Sequence, residues 1–107
     1  MKESEKYFPQ LKNITKAKIN LNEVVLHTPL QKNHNLSDEF CAEVFLKRED
    51  LQVVRSYKLR GAYNKIAHLT NEELKNGVIC ASAGNHAQGV AYSCQKLGIK
   101  GKIYMPT

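Results

Sequence analysis

From residue 43 to residue 105, short apolar runs alternate with stretches whose apolar residues recur at helical spacing, and few architectures accept that order. Residues 43–47 (EVFLK) alternate and carry Val44 and Phe45, which suits a strand. Leu59, Ala62, Tyr63, Ile66 and Ala67 then fall at i, i+3, i+4, i+7 and i+8, one face of a helix spanning about 57–69. Thr70 with Glu73 makes a capping-box pattern for a short second helix, and Gly77 supplies its stop. Residues 78–81 (VICA) form an apolar run fit for a strand buried on both faces. Ala87, Val90, Ala91, Cys94 and Leu97 restore the helical period over 85–97 until Gly98, and 102–105 (KIYM) reads as a further strand. Helix alternating with apolar strand predicts an α/β fold, an open parallel sheet with flanking helices and right-handed crossovers.

Upstream, Ile14, Ala17, Leu21, Val24 and Val25 predict an amphipathic helix that ends before His27-Thr28-Pro29, after an irregular stretch over 1–13. The segment after Pro29 is polar, and 48–56 reads as a loop. No repeat or Gly/Ser linker interrupts 14–107, which is expected to be one unit. Apolar residues make up 42% of the chain, enough for a globular core and too evenly spread for a bilayer span. The opening MKESEKYFPQ has no apolar stretch of the secretory kind, so a cytoplasmic protein without membrane contact is expected.

Charge and cysteine usage narrow the partners. Residues 1–50 hold eight basic and eight acidic side chains, whereas 51–107 hold eight basic and two acidic. The basic excess is dispersed, with no Arg/Lys run and no aromatic pair of an RNA-reading kind, so nucleic acid is not expected. A solvated face or a small anionic ligand accounts for it. Cys41, Cys80 and Cys94 make no CxxC and lie in apolar segments, so buried reduced thiols are expected. With His27, His34, His68 and His86 they show no short metal-ligand spacing, and no metal is expected.

Two segments could carry chemistry. In 56–61 (SYKLRG), Lys58 stands at the mouth of a helix near Arg55 and Arg60. Neighbouring cations and partial burial favour the neutral amine that a Schiff base with an aldehyde requires, although an ordinary first-turn surface lysine also fits. The second segment is Ser82-Ala83-Gly84-Asn85, between an apolar strand and a helix. In an open α/β sheet that is where ligands bind, and the unpaired N–H groups of a helix start attract anions. Gly84 permits close backbone approach, and Asn85 either caps the helix or hydrogen-bonds a ligand oxygen. No GxGxxG, P-loop or GxSxG is present, which argues against dinucleotide, nucleoside-triphosphate and serine-hydrolase chemistry.

These two segments, KREDLQVVRSYKLRGAYNK (47–65) and ASAGNHAQGVAYS (81–93), resemble the amino-terminal part of the threonine dehydratases, pyridoxal-phosphate lyases of the tryptophan-synthase-β fold type. HTPL at 27–30 and YMPT at 104–107 are similar too, and the resemblance runs from about 14 to 107. It implies that Lys58 forms the internal aldimine with pyridoxal 5'-phosphate and that Asn85 hydrogen-bonds the cofactor's phenolic oxygen. It further implies that Ser82, Ala83, Gly84, Asn85 and His86 grip the substrate carboxylate. Tyr57 stands where the family usually has phenylalanine; beside a cofactor, its hydroxyl would need a partner. Cysteine synthases share the layout but carry Lys-Asp-Arg and TSGNT, where this chain has Lys58-Leu59-Arg60 and SAGNH. REDLQ at 48–52 and AGNHAQGVA favour the biosynthetic threonine dehydratases over the serine racemases.

The resemblance thus implies conversion of L-threonine, or alternatively L-serine, in the opening step of isoleucine synthesis, by an enzyme that is homo-oligomeric when intact. The family continues well beyond the match, through a Gly-rich phosphate loop and the partner of the pyridine nitrogen. The chain is therefore expected to be an amino-terminal fragment of the catalytic domain, inactive alone, with a non-catalytic remnant as the alternative.

Overall fold

The apolar run Val78-Ile79-Cys80-Ala81 makes a strand, and thirteen residues at helical spacing carry the chain from its end back to a second, parallel strand. The computed structural model describes residues 7–107. In chain order the elements are α1 (Leu11–Leu21), β1 (Leu30–Lys32), α2 (His34–Glu39), β2 (Phe45–Lys47), α3 (Lys58–Ile66), α4 (Asn71–Leu74), β3 (Val78–Ala81), α5 (Asn85–Leu97) and β4 (Gly101–Tyr104), with a 3-10 turn at Glu49–Leu51. β3 and β4 pair in parallel, from Val78 opposite Gly101 to Ala81 opposite Tyr104. α5 is the crossover that parallel pairing demands. Gly98, at φ 65°, ends it in the left-handed conformation that glycine accepts without strain.

The core lies between the two longest helical faces of this half. Ala62 and Ile66 of α3 meet Val90 and Cys94 of α5, with Leu74, Val78, Cys80, Leu97 and Ile99 packed around them. β3 is therefore covered on one face only, and Ile79 on the other face is 73% exposed. The expected burial on both faces does not hold, because no described element lies against that second face.

The strand expected at 43–47 is present as β2, but it does not join the parallel pair. It pairs antiparallel with β1, Leu30 opposite Lys47 and Lys32 opposite Phe45, in a separate two-stranded sheet. An antiparallel return needs only the short span that holds α2, whereas parallel pairing needs a longer crossover. α2 itself stands in the segment read as merely polar. Its start is fixed by the Asn33 side chain, whose Oδ1 accepts from the Leu36 N–H at 2.9 Å. The first helix begins earlier than expected, at Leu11, and ends at Leu21; Val24 and Val25 follow in a turn, their N–H groups on the Leu21 carbonyl.

The capping box of α4 is formed, with Thr70 N–H donating to Glu73 Oε2 at 2.8 Å and Glu73 N–H to Thr70 Oγ1 at 3.3 Å. Of the thiols expected to be buried, Cys94 is buried and Cys80 half-buried. Cys41 is exposed, in the turn after α2 at φ 48°, where it has no apolar face to join. Among the described residues no helix is long and apolar enough to cross a membrane, and no three His, Cys, Asp or Glu side chains cluster as a metal site would require.

Candidate active site

Lys58 is the first residue of α3, and the turn that delivers it is unusual. Arg55 adopts φ 61°, its N–H donating to the Gln52 carbonyl at 2.8 Å, and the chain then enters the helix through Tyr57 with no side-chain cap. A non-glycine residue at positive φ is uncommon and is tolerated where the surroundings hold it. Lys58 is exposed, its Nζ 5.3 Å from the centroid of the equally exposed Tyr57 ring. The partial burial expected of this lysine is absent. The Arg60 cation expected beside it is engaged elsewhere, on Glu49. Ser56, two residues earlier, is buried, and its hydroxyl has no hydrogen-bond partner among the described residues.

The second half of the site follows β3. Ser82 N–H donates to the Tyr104 carbonyl at 3.0 Å, prolonging the ladder, and then the chain turns into α5. Ser82 Oγ accepts from the N–H groups of Gly84 and Ala87, each at 3.3 Å. Ser82 thus does the capping that was open to Asn85, which is the first helical residue and makes no cap bond. Among the described residues the Asn85 side chain and the N–H groups of Ala83, Asn85 and His86 have no partner within the chain. Ala83, Gly84, Asn85 and His86 are exposed, and nothing stands within 4 Å of where a Gly84 Cβ would be. Free donors at a helix start receive an anion or a carboxylate.

What joins the halves is Gly89, one turn along α5 from Asn85. A Cβ at Gly89 would lie 3.1 Å from the carbonyl carbon of Lys58 and 3.2 Å from both its oxygen and the Leu59 nitrogen. The Lys58 peptide therefore rests on the bare backbone of α5, roughly 6 Å along the axis from the start of that helix.

A polar cluster behind the lysine helix was not foreseen. Arg60 donates to Glu49 through Nε and Nη2, both at 2.8 Å, and Thr28 Oγ1 donates to the same carboxylate at 2.5 Å. Gln52, wholly buried, clamps the backbone of Leu26 from both sides: its Oε1 accepts from the Leu26 N–H at 2.9 Å and its Nε2 donates to the Leu26 carbonyl at 2.8 Å. Lys47 Nζ donates to the Thr28 carbonyl. The Arg60 hydrogen bonds, against an opposing push from burial and with help from Thr28, hold the Glu49 carboxyl down at about 2. These contacts tie the HTPL segment, the 3-10 turn and α3 into one piece. The signal was there in REDLQ, an acid and an amide three apart, but the partners they take lie far away in the chain.

A protein family described as pyridoxal-phosphate dependent enzyme matches residues 21–107. The biosynthetic L-threonine dehydratase IlvA of Bacillus subtilis (strain 168) is 62% identical over 98 residues, 92% of this chain and 23% of the relative. Among solved structures, the processed form of threonine deaminase isoform 2 from Solanum lycopersicum superposes with a TM-score of 0.74 at 43% identity, covering 92% of this chain and 29% of that one. Maize serine racemase superposes with a TM-score of 0.84 at 31% identity, covering 94% of this chain and 31% of that one. The chain spans about a quarter of the length of the curated relatives it matches. The match takes in both halves of the site and the strands and helices that carry them, and on that extent the chain belongs to the family of pyridoxal-phosphate dependent enzymes.

Proposed function

We propose that the chain carries the lysine-bearing and carboxylate-binding part of a threonine dehydratase, an enzyme that converts L-threonine to 2-oxobutanoate and ammonia at the entry to isoleucine synthesis. The observation that carries this is the seating of the Lys58 peptide on Gly89, which brings the backbone at the start of the lysine-bearing helix to within about one turn of the free donors at the start of α5. The names of the similar proteins, threonine dehydratase and threonine deaminase, fit the same chemistry. Residues 14–107 are, on this proposal, the amino-terminal part of a cytoplasmic, homo-oligomeric catalytic unit.

The residues present suit the cofactor. Lys58 offers an exposed amine to an aldehyde, Asn85 an amide whose donors and acceptor are uncommitted, and Ser56 a buried hydroxyl still lacking a partner. When bound, pyridoxal phosphate supplies the electron sink that stabilises charge at the substrate's α-carbon. Lys58 would hold the cofactor through Nζ, and the same atom, as a free amine, would carry the substrate's α-proton. Asn85 would hold the ring in orientation through a hydrogen bond to its phenolic oxygen. Ser82, Ala83, Gly84, Asn85 and His86 take the substrate carboxylate: Ser82 holds the loop in shape by accepting from the Gly84 and Ala87 N–H groups, Gly84 leaves room for close approach, and Ala83, Asn85 and His86 offer their free N–H groups.

A serine-directed activity is the second reading, favoured by the superposition on maize serine racemase. The test is an assay of the complete enzyme bearing this chain, with L-threonine and L-serine, following 2-oxobutanoate and pyruvate. Threonine is expected to be deaminated at the higher kcat/KM. Lys58→Ala should abolish turnover, and Asn85→Ala should weaken cofactor binding on the order of tenfold with residual activity. Wild-type deamination by Lys58→Ala would remove that residue from the mechanism.

A further inference from the structure

We propose that Gly89 is a positioning residue, the seat that sets how far the Lys58 amine stands from the carboxylate-binding loop at 82–86. The inference deepens the functional reading above and rests on Lys58 being the cofactor lysine.

Glycine inside a helix is disfavoured relative to alanine, so its presence within the thirteen residues of α5 calls for a reason. A turn is not the reason, because Gly89 lies in regular helix well before the left-handed stop at Gly98. Space is. The three atoms nearest a Cβ at Gly89, at 3.1 to 3.2 Å, all belong to the backbone of Lys58 and Leu59, which cannot swing aside as a side chain can. Gly61, on α3 itself, makes the contrast: among the described residues nothing stands within 4 Å of its Cβ position.

The contact is held from behind as well. Ser93, wholly buried, donates from Oγ to the Gly89 carbonyl at 2.6 Å, and Leu59, also wholly buried, anchors the other side. Neither helix yields freely, so a methyl group at Gly89 drives the first turn of α3 outward by a few tenths of an ångström. Of the core residues, Val90 adjoins Gly89, whereas Ala62, Ile66 and Cys94 lie a turn or more further along their helices, and their packing is expected to hold. Displacement is therefore concentrated at Lys58. A misplacement near 1 Å costs on the order of a hundredfold in rate, so a few tenths are readable in the lysine's chemistry.

The experiment incubates wild-type chain, Gly89→Ala and Gly61→Ala with pyridoxal phosphate, reduces with borohydride, and locates labelled lysines by peptide mass. Lys58 is expected to be labelled above the other lysines in wild type and in Gly61→Ala. In Gly89→Ala its share should fall at least threefold. Reactivity of the Cys94 thiol, buried against the same helix, reports whether the fold persists and should stay as low as in wild type. An undiminished Lys58 share in Gly89→Ala overturns the proposal. So does a newly reactive Cys94, which would make Gly89 a packing residue only. If wild type itself shows no preference for Lys58, the cofactor role of Lys58 falls instead. Gly89 is then judged without cofactor, by hydrogen exchange of the peptide covering 57–60, which should speed up in Gly89→Ala; unchanged exchange overturns the seating.

Discussion

Glu49 gathers hydrogen bonds from Arg60, Thr28 and Gln52, and so answers for the attachment of three separate segments. Its carboxyl is held at about 2 against an ordinary 4.5, chiefly by the Arg60 hydrogen bonds. A depressed carboxylate contributes stability that is complete above about pH 4.5 and is lost as pH falls toward 2. The full shift corresponds to on the order of 3 kcal/mol, and solvent reaching the partly exposed Arg60 reduces that to about 2 kcal/mol. Glu49→Gln should therefore lower stability at pH 7 by roughly that amount and flatten the acid limb between pH 4.5 and 2. Urea unfolding of both proteins at a series of pH values checks it. Asp50, lowered by Arg48, and Glu73, lowered by the Thr70 backbone, titrate in the same direction, so the difference between the two curves is the quantity to read. Parallel curves would show that the cluster carries no acid-sensitive stability. Lys58 and the 82–86 loop could be nominated from sequence because a helix start is visible in the local pattern, although Arg60, a chain neighbour of Lys58, turns to Glu49 instead. Glu49 and Gln52 could not, since Thr28, Leu26 and Arg60 become their partners only through tertiary structure.

Elements with a period of their own were legible. β3 and α5 occupy the expected 78–81 and 85–97, because an apolar run flanked by Gly77 and Gly84 and a full helical face leave little choice. β1 and α2 were not, since three residues are too few to show alternation and HNLSDE shows no apolar stripe. Two glycines allow the element-level forces to be separated. Gly77 sits at φ 79°, and a Cβ there would lie 2.3 Å from the Lys100 carbonyl oxygen, in the turn that aligns β3 with β4. Gly77→Ala should cost about 2–3 kcal/mol through strain and displaced pairing. Gly61→Ala meets open space inside α3 and should stabilise by up to about 1 kcal/mol. Urea midpoints moving in the same direction for the two variants would contradict this account.

At the scale of the whole molecule the apolar pattern marks which faces want covering without naming the cover. Ile79 on the outer face of β3 and Leu11, Ile14 and Ile19 on α1 are all exposed, and among the described residues each sheet has two strands with open edges. That explains why 78–81 looked like a strand buried on both faces and is covered on one. Most of each similar solved structure has no counterpart in these 107 residues, which cover 29% and 31% of two of them. Open strand edges and exposed apolar faces favour association, and a core of a few side chains leaves little stability in reserve. The 107 residues expressed alone should therefore self-associate as concentration rises, which sedimentation would show. They should also give no sustained turnover of threonine with excess pyridoxal phosphate, because a cofactor held through Lys58 without enclosing walls is loosely oriented. Borohydride trapping at Lys58 would then succeed where 2-oxobutanoate fails to accumulate. Turnover that Lys58→Ala abolishes, appearing only in the associated species, would reverse this expectation and mean that copies of the chain wall in one another's sites.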